Sequence, residues 1–149
     1  MTADVSTAST PAPIAPGTEF GGRRVLTEHQ LELAIALTGG THPVHTSASA
    51  AQAAGFRGRI FHGAVSAALM AAAIGAHFRD EQIALLEQNN RFAAPTHPGD
   101  VLDSAWTVDE VRAAKRSGDT ILALRGRMTN QDGVVVLESR ATVLLRRPS

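Results

Sequence analysis

With 149 residues the chain is long enough to bury one substantial core, the size of a single domain. Its 14 basic and 14 acidic side chains cancel, so no net field marks it for nucleic acid or an anionic membrane surface. There is no cysteine, which excludes disulfides, thiolate metal ligands and a cysteine nucleophile.

Residues 1–18 (MTADVSTASTPAPIAPGT) are rich in Ala, Ser, Thr and Pro, without a basic n-region or an apolar h-region. They are expected to form a mobile tail rather than a secretory signal, followed by one domain over 19–149. Glu19–Val25 reads as a short strand. Thr27, with Gln30 three residues on, forms a capping box that opens a helix to about Leu37. Thr38-Gly39-Gly40 breaks it, and Pro43 disfavours helix at His42, so the following segment reads as a structured loop. A short helix is expected around Ser47–Ala54, stopped by Gly55.

Gly63–Phe78 is a strong helix candidate, apolar nearly all round and therefore expected to be buried on several sides. Its apolar run, Ala64–Ala76, is too short to span a bilayer, which makes the cytoplasm the default location. Ile83–Phe92 reads as a strand and Pro95–Asp100 as a loop. Val101–Ala113, Thr120–Thr129 and Val134–Arg146 read as three long strands, the last two joined by a hairpin at Asn130-Gln131-Asp132-Gly133. Helices followed by a run of antiparallel strands predict an α+β domain, a curved sheet against one long helix.

Three stretches in this order resemble the MaoC-like hydratase family of hot-dog proteins. Ala36–His45 (ALTGGTHPVH) is similar to the family's loop S-G-D-x-N-P-x-H. Phe56–Ala64 (FRGRIFHGA) is similar to F-x-x-x-I-x-H-G at the entry to the central helix. Arg91–Leu102 (RFAAPTHPGDVL) is similar to F-x-x-P-V-x-x-G-D-x-L leading into the sheet. The resemblance covers roughly Phe20–Arg146. It implies a hot-dog fold, a dimer whose sheets join edge to edge, and an acyl-CoA or acyl-carrier-protein thioester in a tunnel between loop and helix. It implies hydration or dehydration of an enoyl or 3-hydroxyacyl thioester, with no cofactor.

Such chemistry needs a base for water, an acid for the α carbon and a site for enolate charge. Carried over by position, the family's histidine is His45, an imidazole and so a side-chain type suited to general-base work near neutrality. The family's aspartate falls on Gly40, which has no side chain for proton transfer, and its asparagine on His42. His42 either replaces the carboxylate as a second proton carrier or fills space. His42 and His45 form an H-x-x-H pair, but no third ligand stands at a recognisable spacing, so no metal is expected. Gly63 matches the glycine whose N–H, at a helix start, stabilises an enolate oxygen; otherwise it is a packing glycine.

Gly40, His62, Ser66, Asn90 and Arg91 are the candidate substrate-binding positions. Arg57, Arg59, Lys115 and Arg116 are further cations for the phosphates of CoA, or simply a solvated face. Gly40 keeps two alternatives open beside a simple hydratase. One is a specialised dehydratase, isomerase or cyclase of a biosynthetic pathway; the other is a non-catalytic thioester-binding subunit of a hetero-oligomer.

Overall fold

Strand β1 (Glu19–Val25) enters directly after the N-terminal segment, and Thr27 then caps α1 (Glu28–Thr38). The structure, a computed structural model, describes residues 13–116 and 118–146. Both halves of the capping box form: Thr27 Oγ1 accepts from Gln30 N, and Gln30 Oε1 accepts from Thr27 N. Gly39, at φ 65°, ends the helix in the left-handed region that glycine enters without strain. After α2 (Pro43–Thr46) and α3 (Ala48–Ala53), the long helix α4 runs from Gly63 to His77. Strands β2 (Gln82–Phe92), β3 (Val101–Ala113), β4 (Thr120–Thr129) and β5 (Val135–Arg146) complete the chain.

The five strands form one antiparallel sheet in the order β1-β3-β4-β5-β2. Register shifts at Leu85/Glu87, Val108/Glu110 and Met128/Thr129 bend the strands. Helix α4 lies on one face of the sheet, burying Ser66, Met70 and Ile74 at i, i+4 and i+8. Trp106 on β3 is fully buried, and its Nε1–H donates to the Met70 carbonyl at 2.9 Å, satisfying the indole where no water reaches it. Leu102, Leu122, Leu124, Leu137 and Val143 fill the rest of this seam.

Three expectations are corrected here. His45 lies in a one-turn helix, α2, not a loop. Pro43 sits at the first turn, where a missing N–H costs nothing, and His42 is the extended residue before it. The end of the expected tail is ordered: Ile14 packs against the core, Gly17 N–H donates to the Val108 carbonyl and Val108 N–H to that of Thr18. Residues 1–12 of that tail lie outside the described residues. Finally, α4 is covered on one side only. Ala64, Ala68, Ala72 and Ala76, at helical spacing, are exposed, because a single sheet shields one face of a helix.

Candidate active site

The site is built at the N-terminal end of α4, where segment 56–62 passes α2. Two bonds fix α2 to this segment. Ile60 N–H donates to the Val44 carbonyl at 3.1 Å, and His45 Nδ1 lies 2.7 Å from the Ile60 carbonyl oxygen. A carbonyl only accepts, so Nδ1 is the donor, and in the neutral ring Nε2 is the nitrogen with the lone pair. Arg59 ties the same segment to α1, with Glu28 at 2.5 Å and Glu32 at 2.6 Å, and reaches the His45 carbonyl at 3.4 Å. Its guanidinium, already basic, is held further in the charged form by Glu32 and Glu28.

Below this segment, Asp100 acts as a clasp. Its carboxylate is buried and accepts from Arg57 at 2.5 Å, from the His97 N–H at 2.7 Å and from Gln131 at 3.0 Å. One carboxylate thus joins segment 56–59, the 95–100 loop and the β4–β5 turn. Phe61 N–H donates to the Thr96 carbonyl, adding a second tie between loop and site. His97 Nδ1 is 3.7 Å from Asp100, yet burial, helped by Arg57, lowers its pKa against the smaller opposing pull of Asp100. At neutral pH this contact is therefore between a carboxylate and a neutral imidazole.

Helix α4 opens with the Gly63 N–H free, while the Val65 N–H turns back to the His62 carbonyl at 3.0 Å. His62, the N-cap residue, makes no side-chain cap, and among the described residues no acceptor meets the Gly63 N–H. An uncapped helix start presents N–H groups and a partial positive charge, a place for a developing oxyanion. His62 brings this end to His45, their rings stacked at 3.8 Å between centroids and 24° between planes. Over Gly63 lies Phe92, so close that a Cβ on Gly63 would stand 3.0 Å from the ring. A side chain at 63 would make the exposed Phe92 ring give way by a few tenths of an ångström.

Of the positions expected from sequence, the structure brings Gly40, His45, His62 and Gly63 together. His42 lies beside them, its ring 6.3 Å from that of His45, but its Nδ1 accepts from Val44 N and caps α2. Asn90 is on the helix-facing side of β2, where its Oδ1 accepts from Gln88 and Ser139. Ser66 is buried in the helix–sheet seam with Met70. Arg91 points to the opposite face of β2 from Asn90, paired with Glu138 at 3.0 Å in a groove shared with Arg125, Arg127 and Arg140. Strand alternation separates it from the α4 site. Arg57 and Arg59 are occupied by the carboxylates above, and Arg116 lies 3.9 Å from Asp119.

Sequence reasoning missed Ile60, Gln88, Phe92 and Ser139. Ile60 acts through its carbonyl, which no side-chain pattern reports. Gln88, Asn90 and Phe92 share one face of β2, and period-two alternation was the signal that could have found Gln88 and Phe92. Among the described residues no group of three His, Cys, Asp or Glu side chains is placed to hold a metal.

A curved antiparallel sheet laid on one long helix, with a histidine at that helix's start, defines a hot-dog domain. Solved structures with this fold include the unliganded R-hydratase PhaJ1 from Pseudomonas aeruginosa, 29% identical, with a TM-score of 0.80 over 91% of this chain and 84% of that one. Another is a MaoC-like dehydratase from Rhodospirillum rubrum, 26% identical, with a TM-score of 0.79 over 91% of this chain and 96% of that one. An (R)-specific enoyl-CoA hydratase from Rhodospirillum rubrum is 29% identical over 122 residues, 82% of this chain and 81% of its own. The MaoC-like domain model matches residues 11–125, and the chain belongs to the MaoC-like domain family.

Proposed function

We propose that the chain adds water across a 2-enoyl thioester, or removes it from the 3-hydroxyacyl thioester, using His45 as base and the Gly63 N–H as oxyanion donor. The acyl group is carried on CoA or a carrier protein. The observation that carries this reading is the 2.7 Å contact of His45 Nδ1 with the Ile60 carbonyl, which in the neutral ring puts the proton on Nδ1 and the lone pair on Nε2, beside an uncapped helix start. In the hydration direction Nε2 takes a proton from water as its oxygen bonds to C3. The electron pair moves onto the thioester oxygen, where the Gly63 N–H stabilises it. The imidazolium then delivers that proton to C2 as the carbonyl re-forms. Water's two hydrogens end on the C3 hydroxyl and on C2, so one histidine suffices where no carboxylate stands at position 40.

Within one protomer the site is an open shelf, since Gly63, Ala64 and Phe92 are exposed. A homodimer closes it into a tunnel. The free edge of β2 carries exposed Leu85, Leu86 and Phe92, the apolar surface expected of a strand that pairs with a second copy. The reading takes the cytoplasm as the place of action. Among the described residues no helix is long and apolar enough to cross a membrane.

Turnover of a short 2-enoyl-CoA tests the reading. H45A should lower kcat by about 10²–10⁴, the usual worth of a general base. Wild type and H45A turning over at one rate would contradict it. Gly40 favours a second reading, a specialised dehydratase, isomerase or cyclase of a biosynthetic pathway, or a non-catalytic binding subunit. Wild type without hydration of any short enoyl-CoA would leave that reading in place.

A further inference from the structure

The side-chain amide of Asn90 has its orientation dictated by a chain of hydrogen bonds. Gln88 Nε2 donates to the Ala67 carbonyl of α4 at 3.0 Å, and a carbonyl only accepts, so the nitrogen end of Gln88 is fixed there. The same Nε2 lies 2.9 Å from the Asn90 amide, so the atom it meets is the acceptor, Oδ1. Ser139 Oγ–H, from the paired strand β5, donates to that oxygen as well, at 2.8 Å. With Oδ1 engaged twice, the amide turns its NH2 away from both partners. Those N–H groups meet no acceptor among the described residues, and Nδ2 is open to solvent although Asn90 is half-buried. The place is beside the proposed site. Phe92, on the same face of β2, covers Gly63, while Gln88 reaches Ala67 one turn further along α4. Asn90 stands between them, and at about 3.3 Å per strand residue it lies roughly 6–7 Å from Phe92.

We propose that Asn90 Nδ2 donates to a second oxygen of the bound thioester, roughly 6–7 Å from the one held at Gly63. The inference rests on the hydratase reading of the Gly63 site and names what else its ligand carries. Two parts of such a ligand present an oxygen at that reach: the first amide carbonyl of the pantetheine arm, and a hydroxyl or carbonyl near C5 of the acyl chain. Either accepts from an amide N–H, whereas a plain alkyl chain offers nothing to it. Held by Gln88 and Ser139 before the ligand arrives, the amide loses little freedom on binding. Asn90 is thus a specificity residue and takes no part in proton transfer.

Calorimetric titration with saturated, unreactive ligands tests this independently of turnover. N90L removes donor and acceptor alike, while N90D keeps an acceptor for Gln88 and Ser139 and removes only the donors. Kd for 5-hydroxyhexanoyl-CoA should rise about 3- to 30-fold in both, the worth of one or two hydrogen bonds. In N90D the rise should persist at high salt, where the added charge is screened. Hexanoyl-CoA separates the two sources. An equal rise with it identifies the pantetheine carbonyl, and no rise identifies the acyl hydroxyl. A purely structural Asn90 gives wild-type Kd in N90D and a raised Kd in N90L; that pattern would overturn the proposal, as would wild-type Kd in both. Wild type that binds these ligands but hydrates no enoyl-CoA would overturn the hydratase reading alone. Wild type that binds neither would overturn both.

Discussion

Gly63 permits the oxyanion role to be separated from packing. Its predecessor His62 has φ −62° and ψ 139°, a conformation a residue before proline adopts freely. Proline is also well tolerated at the first position of a helix. Replacing Gly63 by Pro therefore deletes one N–H while keeping α4, provided that Phe92 is cut back to make room. F92A/G63P should fold like F92A and hydrate about 10²–10³ more slowly, the cost of one oxyanion donor. Equal rates in the two variants would remove Gly63 from the chemistry. His97 yields a prediction on pH. Unfolded, it titrates near 6.5; folded, burial lowers that value. The unfolded chain then binds a proton that the folded chain refuses. Stability is full above about 6.5, falls as pH drops through that value and levels off below the lowered one. H97Q should flatten this slope between pH 7 and 5 in denaturant titrations, and an unchanged slope would assign it to other groups.

The joint between sheet and helix is set by a glycine in mid-strand. A Cβ on Gly126 of β4 would stand 2.5 Å from Trp106, against Met70 as well, and both are fully buried. Neither has room to move, so G126A should destabilise by about 1–3 kcal/mol, the usual cost of overpacking, read as a lower thermal midpoint. At the level of elements the sequence was largely readable. The Thr27 box, the Gly39 stop, the long helix and the Asp-Gly turn each have a local physical cause, and local causes are visible in order along the chain. Helix α2 was not read, because Pro43 both bars helix at the residue before it and starts a new one. The Asp100 clasp was not read either, since its partners Arg57, His97 and Gln131 lie on three separate segments.

Across the whole molecule, the motifs located the site but not its logic. Gly40 reads from sequence as a loss; the fold adds that its carbonyl oxygen meets His62 Nε2, 22 residues later, at 2.8 Å. The open shelf around Gly63 and the apolar free edge of β2 bear on assembly. For the proposed homodimer, L86K should shift the mass in solution from dimer to monomer, since a buried charge at a strand edge opposes pairing. A wild-type monomer would contradict the closed tunnel. The central claim is that His45 Nε2 and the Gly63 N–H converge on one thioester. Titrating ¹⁵N-labelled protein with a 3-hydroxyacyl-CoA tests it most directly. The Gly63 amide and the His45 imidazole nitrogens should shift together, along curves giving one Kd. Saturating binding that moves only one of the two, or neither, would contradict it.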